Sequence, residues 1–290
     1  MQDLRTIKQR MSAIRNIRKI ADAMKMVSTV KYWRLLEPMR TFRTIGDEMK
    51  VFIPPALHRV SEHEGESTGG KTLVLAFFPH RGMCGSLTQN LLHAMAQWYP
   101  DPKDVQFAVF GKKGAAMLSP DRFPRVESPP LSIEAVDDAQ VIALARFIAH
   151  GVTEGRFTRV EGVTAEFHNL LRQTPVRVPL IPLSATASPL SATDAAETRP
   201  DADEDAEVEL EPDPQTVFSL FLPLYLETQL RRLVYDAMVS EHAARMTAMD
   251  NASKNAQELL ENFRLEYNKI RQSKITLELM EIISGSEALK

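Results

Sequence analysis

The sequence predicts two long terminal helices, paired as an antiparallel coiled coil, with a small α/β domain between them. Three observations lead there. Between Pro223 and Gly285 lies a stretch of roughly 60 residues with helical patterning and neither Gly nor Pro, which as one helix could reach ~90 Å. The N-terminal segment has no glycine before Gly46 and repeats its apolar residues mostly three or four apart. The residues between these segments alternate strand-like and helix-like patterns, the signature of an α/β unit. A helix much longer than a normal globular one is a coiled coil, a membrane span or part of a repeat. No internal repeat and no run of 18 apolar residues is present, so each long helix is expected to bury its stripe against the other.

Taken in order, the first element covers residues 1–58. Asp3 is a plausible N-cap, and Ile7, Met11, Ile14, Ile17, Met24, Val27 and Val30 form the apolar series. Pro38 is expected to kink the helix or end it near Glu37, with Pro54-Pro55 as the firmer stop. A Rossmann-like α/β domain is expected over residues 72–184. Its strands are read at Thr72–Phe78, Val105–Phe110, Phe157–Phe167 and Val176–Leu183. Helices are read at Leu87–Trp98 and near Lys113–Leu118, with a third capped by Asp138 and closed by Gly151. That order predicts a largely parallel sheet. Residues 185–214 are rich in Ala, Ser, Thr, Pro, Asp and Glu and poor in apolar bulk, so they read as an acidic mobile loop. The second long helix takes residues 215–290. Its small Ala243, Ala244, Ala248, Ala252 and Ala256 permit close approach of a partner helix, and Met246 and Met249 supply adaptable packing.

Composition and charge narrow the function. The net charge of −3 and ordinary hydrophobic content fit a soluble globular chain. Cys84 is the single cysteine, so an intramolecular disulfide and a cysteine zinc site are both excluded. Charge is uneven: Met1 to Arg43 carries eleven Lys and Arg against three acids, and Asp194 to Asp213 carries ten acids against Arg199. The basic helix points to a solvated face or an acidic partner. Nucleic acid is disfavoured because no aromatic residues interleave with the basic ones.

Catalytic motifs fare poorly. Gly65-Glu-Ser-Thr-Gly-Gly70-Lys71-Thr72 fits the P-loop pattern letter for letter. A P-loop needs a strand before it and a helix after it, so that backbone amides and the helix N-terminus hold the phosphates. Here a helix precedes and a strand is expected to follow. Arg81-Gly-Met-Cys-Gly-Ser86 has the right strand–loop–helix order, with amides that could hold an anion, but its glycines suit a structural turn equally well. The seven histidines show no metal-ligand spacing, and no nucleophile elbow is present. No catalytic residue, cofactor site or metal site is assigned.

The strongest pattern is a resemblance. Ser240-Glu-His-Ala-Ala-Arg-Met-Thr-Ala-Met249, then Tyr267-Asn-Lys-Ile-Arg271-Gln272, then Ile275-Thr-Leu-Glu278-Leu-Met-Glu281-Ile-Ile-Ser-Gly285 resemble the closing signature of the F-type ATP synthase gamma-subunit family. Arg18-Lys-Ile-Ala-Asp-Ala-Met24-Lys-Met-Val27 resembles its opening, and Arg81-Gly-Met-Cys-Gly85 its mid-chain turn. His80, Pro38, Ser286 and the acidic segment around Asp201–Asp213 depart from the family pattern, which marks a divergent member. The resemblance implies a non-catalytic rotor shaft that couples ion flow to ATP synthesis or hydrolysis. Its implied partners are the alpha and beta subunits of the catalytic ring, the epsilon subunit and the c-ring. The implied location is peripheral, on the cytoplasmic face of the bacterial inner membrane, without membrane insertion. On the same ground Met24 and Lys25 match the part facing beta's lever regions, and Arg271 and Gln272 the pair that bonds beta's catch. Ile275, Glu278, Ile282 and Ile283 complete the beta-facing set. With Leu279 and Leu289, the three isoleucines would form an apolar tip in an apolar sleeve. Glu278 and Glu281 are also candidates to pair with basic residues of the first helix. A coiled-coil adaptor with an α/β head and a P-loop nucleotide-binding enzyme are the alternative functions.

Overall fold

The computed structural model describes residues 4–51, 53, 57, 60–61, 70–101, 103–183 and 210–287. Its elements are α1 (Leu4–Val51), β1 (Lys71–Phe77), α2 (Leu87–Trp98), β2 (Val105–Phe110), α3 (Lys112–Met117), α4 (Asp138–Thr153), β3 (Phe157–Phe167), β4 (Gln173–Ile181) and α5 (Pro214–Glu287). Asp3, Leu289 and nearly all of the expected acidic loop lie outside the described residues. Contacts divide the chain into two compact units, residues 29–244 and residues 1–28 with 245–290.

The larger unit is built on an open four-stranded sheet of order β2-β1-β3-β4. β1 runs parallel to both neighbours. The sheet is mixed, because β4 folds back antiparallel on β3 through a short turn. Asn169 sets that turn, its side-chain oxygen accepting from Leu171 N and Arg172 N at 2.9 Å each. Pro175 and Pro179 are tolerated in β4 because it is an edge strand, where a missing ladder donor does least harm.

β1 shows why the run from Leu73 to Phe78 is apolar at every position. Leu73, Leu75 and Phe77 join the core formed with α4 and α5, while Val74, Ala76 and Phe78 join a second core against α2. A strand covered on both faces has no polar alternation. α5 lies on β3, where Ser240 Oγ donates to Ala165 O at 2.8 Å. Gly162 makes the approach possible, since a Cβ there would sit 2.5 Å from Leu233 Cδ1.

Several expectations shift in detail. α1 passes through Pro38 and ends at Val51. A proline inside a helix removes one backbone bond, here the one to the carbonyl of exposed Arg34, which water can satisfy. Leu36 and Met39 on either side are held in a cluster with Tyr32, Phe167, Val239 and Ala243, so packing overrides the break. The cap of α4 is Asp137, whose carboxylate accepts from Ala139 N at 3.0 Å. Asp138 instead pairs with Arg231 at 2.5 Å. Gly151 does not close α4; it lies inside the helix, where a Cβ would meet the Phe157 ring at 2.4 Å. The left-handed turn residue is Gly155, at φ 70°.

In the smaller unit α1 and α5 run antiparallel. Arg18 Nη1 donates to Gln257 Oε1, Ser253 Oγ donates to Asp22 Oδ1 at 2.6 Å, and Lys25 Nζ meets Asp250 Oδ1 at 2.6 Å. Every step toward the C-terminus of α1 is matched by an equal step back along α5. The least exposed positions of α1 are Ile7, Met11, Ile14, Arg18, Ala21, Met24, Lys25 and Ser28. On α5 they include Met249, Ser253, Ala256, Leu260, Phe263, Tyr267 and Ile270. Both follow the alternating three-and-four spacing of a coiled-coil-like seam.

Packing at Gly162 is directly testable. Gly162→Val would push a branched side chain into Leu233 and is expected to lower the stability of the full chain by about 1–3 kcal/mol in urea unfolding. Gly82→Ala meets only the flexible end of Lys113 within 4 Å and should leave the unfolding midpoint within error.

Candidate partner-binding site

The two groups of residues singled out from sequence occupy different levels of the paired helices. Met24 is half-buried in the seam, and Lys25 bonds Asp250. Lys25 and Lys254 together hold the Asp250 carboxyl down to about 2. The lysine is thus engaged within the chain, with 44% of its side chain still exposed for a second contact.

Arg271, Gln272, Ile275, Glu278, Ile282 and Ile283 are all exposed. Extending the α1–α5 register sets Arg271 opposite Leu4, where α1 begins. Beyond Arg271, α5 has no α1 residue opposite it among the described residues. Glu278 accordingly lies 3.9 Å from Lys274, one turn back on its own helix, rather than against a basic residue of α1. Ile275, Leu277, Leu279, Met280, Ile282 and Ile283 are each about half exposed or more. At 100° per residue they cover roughly two-thirds of the helix circumference, and Lys274, Glu278 and Glu281 take the remainder. A helix apolar on most of its faces is normally a buried one. This end is built to be enclosed.

Sequence periodicity alone misassigned part of α1. Ile17, Val27 and Val30 belong to the same three-and-four series as Ile14 and Met24, yet they are 52–64% exposed. The seam positions at those levels are taken by Arg18 and Lys25, whose polar ends find Gln257 and Asp250 on α5, and by Ser28, which is buried. Together with Ile20 and Met26, the exposed residues give α1 an outward apolar surface beside its basic side chains.

The Arg81–Gly85 turn resolves as structural. Its amides do bind a carboxylate, but one from this chain: His80 N and Arg81 N donate to Glu241 of α5 at 2.8 and 3.3 Å. Arg81 Nε and His80 Nε2 reach Glu134 at 2.8 and 3.3 Å. Met83 and Gly85 adopt φ 62° and 60° to close the turn. The P-loop reading fails on geometry. Residues 65–69 lie outside the described residues, but Lys71 opens strand β1 and its amide donates to Arg156 O. A P-loop lysine stands at the start of a helix. Gly70 is explained by packing, since a Cβ there would sit 2.2 Å from Thr158 Cγ2. Among the described residues no cluster of His, Cys, Asp and Glu could hold a metal ion, and no helix is long and apolar enough to cross a membrane.

One polar assembly was missed. In the larger unit, Arg43 binds Asp236 through Nε at 3.0 Å and Phe167 O through Nη2 at 2.9 Å. Arg232 binds Asp47 at 2.7 Å, and Gln229 donates to Gly46 O at 3.1 Å. Lys50, Glu166, Gln229, Arg232 and Asp236 are all buried. Burial pushes the Asp236 carboxyl up, against the pull of Arg43 and Arg232. Burial, helped by Arg232, lowers Lys50 from 10.5 to about 8. The one sequence signal was an i, i+4, i+7 ladder of charge on α1 (Arg43, Asp47, Lys50) facing Gln229, Arg232 and Asp236 on α5.

Each unit contributes one part of the fold, a long antiparallel helix pair in the smaller and a four-stranded α/β sheet in the larger, which is the make-up of a helix-pair subunit with an α/β domain. Comparison with known proteins gives the particular class. The ATP synthase family model matches residues 3–289. The ATP synthase gamma chains of Desulforamulus reducens and Maricaulis maris are 31% and 32% identical, each alignment spanning all of both chains. A chain of the Euglena gracilis mitochondrial ATP synthase, solved with OSCP, F1 and the c-ring, superposes with a TM-score of 0.67 at 19% identity, covering 99% of this chain and 94% of its own. A chain from the central stalk and c-ring of the Tetrahymena thermophila enzyme gives 0.57 at 20% identity, covering 81% of this chain and 99% of its own. This chain belongs to the F-type ATP synthase gamma-chain family.

Lys50 gives the polar assembly a pH signature. Below pH 8 its ammonium is charged in both states, and the folded state bears the burial cost. Between pH 8 and 10.5 the unfolded chain binds more protons, so this group makes stability rise with pH. Lys50→Met should remove that rise and stabilise the chain at pH 7 by up to about 3 kcal/mol; urea unfolding of both chains across this pH range measures the difference.

Proposed function

We propose that this chain is the central rotor shaft of an F-type ATP synthase, coupling transmembrane ion flow to ATP synthesis or hydrolysis in the alpha/beta ring. It is a non-catalytic subunit. The observation that carries the reading is the end of α5, which leaves α1 behind and exposes apolar residues over most of its surface. Such an end needs an apolar sleeve, and contact without directional bonds lets it turn in the sleeve without settling into one deep well. Its structural relatives come from an F1/c-ring assembly and from a central stalk with its c-ring, which supports the same partners here: alpha and beta around the helices, and the c-ring with epsilon at the base.

Within that reading, Arg271 and Gln272 hydrogen-bond the catch region of beta. Ile275, Ile282 and Ile283 ride in the sleeve, with Glu278 on the polar side of the tip. Met24 and Lys25, together with the basic surface of α1, meet the acidic levers of beta. The domains divide as an N-terminal coiled-coil segment (residues 1–58), an α/β domain (72–184), an acidic segment (185–214) and a C-terminal coiled-coil segment (215–290). The parallel β2-β1-β3 portion, with its crossover helices, supports a Rossmann-like description of the α/β domain. The complex sits peripherally on the cytoplasmic face of a bacterial inner membrane.

Reconstitution with the alpha and beta subunits of the same synthase tests this. The chain should co-purify with them and support their ATPase. Replacing both Arg271 and Gln272 by Ala should cut turnover about ten-fold, as expected for losing one to two net hydrogen bonds in the moving contact. A chain that neither assembles nor supports ATPase ends the rotor reading. Full turnover in the double variant removes only the assignment of those two residues.

A further inference from the structure

Gln229, Arg232 and Asp236 stand three and four residues apart on one face of α5, and none is more than 1% exposed. They converge on α1 near Gly46, where a Cβ would lie 3.2 Å from Gln229 Nε2 and 3.4 Å from Arg232 Cδ. Most polar atoms at this junction have protein partners. Arg232 Nη1 binds Asp47, Gln229 Nε2 binds the Gly46 carbonyl, and the Asp236 carboxylate takes Arg43. Among the described residues, three buried atoms here have no hydrogen-bond partner within the chain: Arg232 Nε, Arg232 Nη2 and Gln229 Oε1.

Their chemistry says what would satisfy them. Nε and Nη2 form the side-on edge of the guanidinium fork, two donors pointing the same way. Gln229 Oε1, one turn back on the same helix face, is an acceptor. Buried polar atoms of native proteins are nearly always paired, and ordered water supplies the pairing that side chains leave open. A halide or any other anion without an O–H would accept from the fork but face the Gln229 carbonyl oxygen without a proton to give it. A bound cation would face the fork itself. The fixed charges also balance without an ion: Arg43, Lys50 and Arg232 stand with Asp47, Glu166 and Asp236. Only a species that both accepts and donates completes this set.

We propose that the junction of α1, α5 and β3 contains an internal water site, one or two ordered molecules accepting from Arg232 Nε and Nη2 and donating to Gln229 Oε1. The remaining hydrogen is directed to a buried carboxylate of the same junction, Asp236 one turn on along α5 or Glu166 of β3. The water fixes the guanidinium plane, so Arg232 can hold Asp47 of α1 with its third nitrogen. In this arrangement Arg232 is a positioning residue for the contact between the two long helices, and the solvent is part of that contact.

The test is a high-resolution crystal structure of the full chain in its complex, grown with bromide in place of chloride. Water density about 2.7–3.2 Å from both Arg232 Nε and Gln229 Oε1, with no anomalous bromide peak, is the expected result. An anomalous peak at the fork overturns the assignment in favour of an anion site. A fork found directly on the carboxylate of Glu166 or Asp236, with no solvent, also overturns it. Oxygen-17 relaxation dispersion provides the independent count. Gln229→Leu combined with Arg232→Met should remove one or two long-lived waters, and Gln229→Leu alone should shorten their residence at least several-fold. An unchanged count and residence time in Gln229→Leu would contradict the proposal even if the double variant fails to fold.

Discussion

Charge taken out of water is the constraint on which the larger unit depends. Asp236 and Arg232 are buried on α5, and each is answered from α1, by Arg43 and Asp47. Ion pairs of this kind add little net stability over well-packed apolar residues, but stranding one partner costs about 3–5 kcal/mol. They therefore act on register more than on strength. An apolar seam can slip by a turn at modest cost, because its attraction has no direction. A slip here would leave several buried charges unanswered at once. Gly46 belongs to the same device, since its missing side chain admits Gln229 and Arg232 to the α1 backbone.

The rest of the unit follows from where α5 must lie. With its polar face committed to α1, its apolar residues Phe218, Leu222, Leu226, Leu230 and Leu233 meet the sheet and α4. Gly162 opens β3 to Leu233, Ser240 ties α5 to Ala165, and Glu241 gathers the amides of the turn after β1. A gamma chain must carry torque through its helices, and a helix fastened to its neighbour by directional bonds carries it without slipping. The C-terminal end of α5 has the opposite character. There Ile275, Leu279, Ile282 and Ile283 are exposed, with no α1 residue opposite them among the described residues. One helix thus presents ionic chemistry to α1 in the larger unit and apolar chemistry to its surroundings at its C-terminal end.

Much of this architecture was legible in the residues. α2, β2 and β3 fall on the predicted spans, because each is a short apolar run bounded by turn residues and needs little from outside to define it. The antiparallel turn-back of β4 was not legible. An edge strand with two prolines has weak periodicity, and its direction is set by the Asn169 turn. Pro38 was misjudged for a similar reason: the local rule was right, but the cluster around Tyr32 and Phe167 outweighs it. In α1 the apolar series drew Ile17, Val27 and Val30 into a seam that in fact holds Arg18, Lys25 and Ser28. Periodicity cannot distinguish a face that packs within the chain from one kept for a partner. The beta-facing residues came from motif resemblance, and the buried charge cluster escaped notice because charged residues on long helices normally face water.

The proposed rotor function requires this chain to turn relative to the alpha/beta ring. Leu171, 84% exposed at the β3–β4 turn, is a suitable handle once changed to Cys, since the native Cys84 is buried. With a bead at that position and the ring fixed to a surface, the account predicts stepwise rotation in one direction when ATP is supplied. Sustained ATP hydrolysis by a ring containing this chain, with the bead showing no directed rotation, would contradict it.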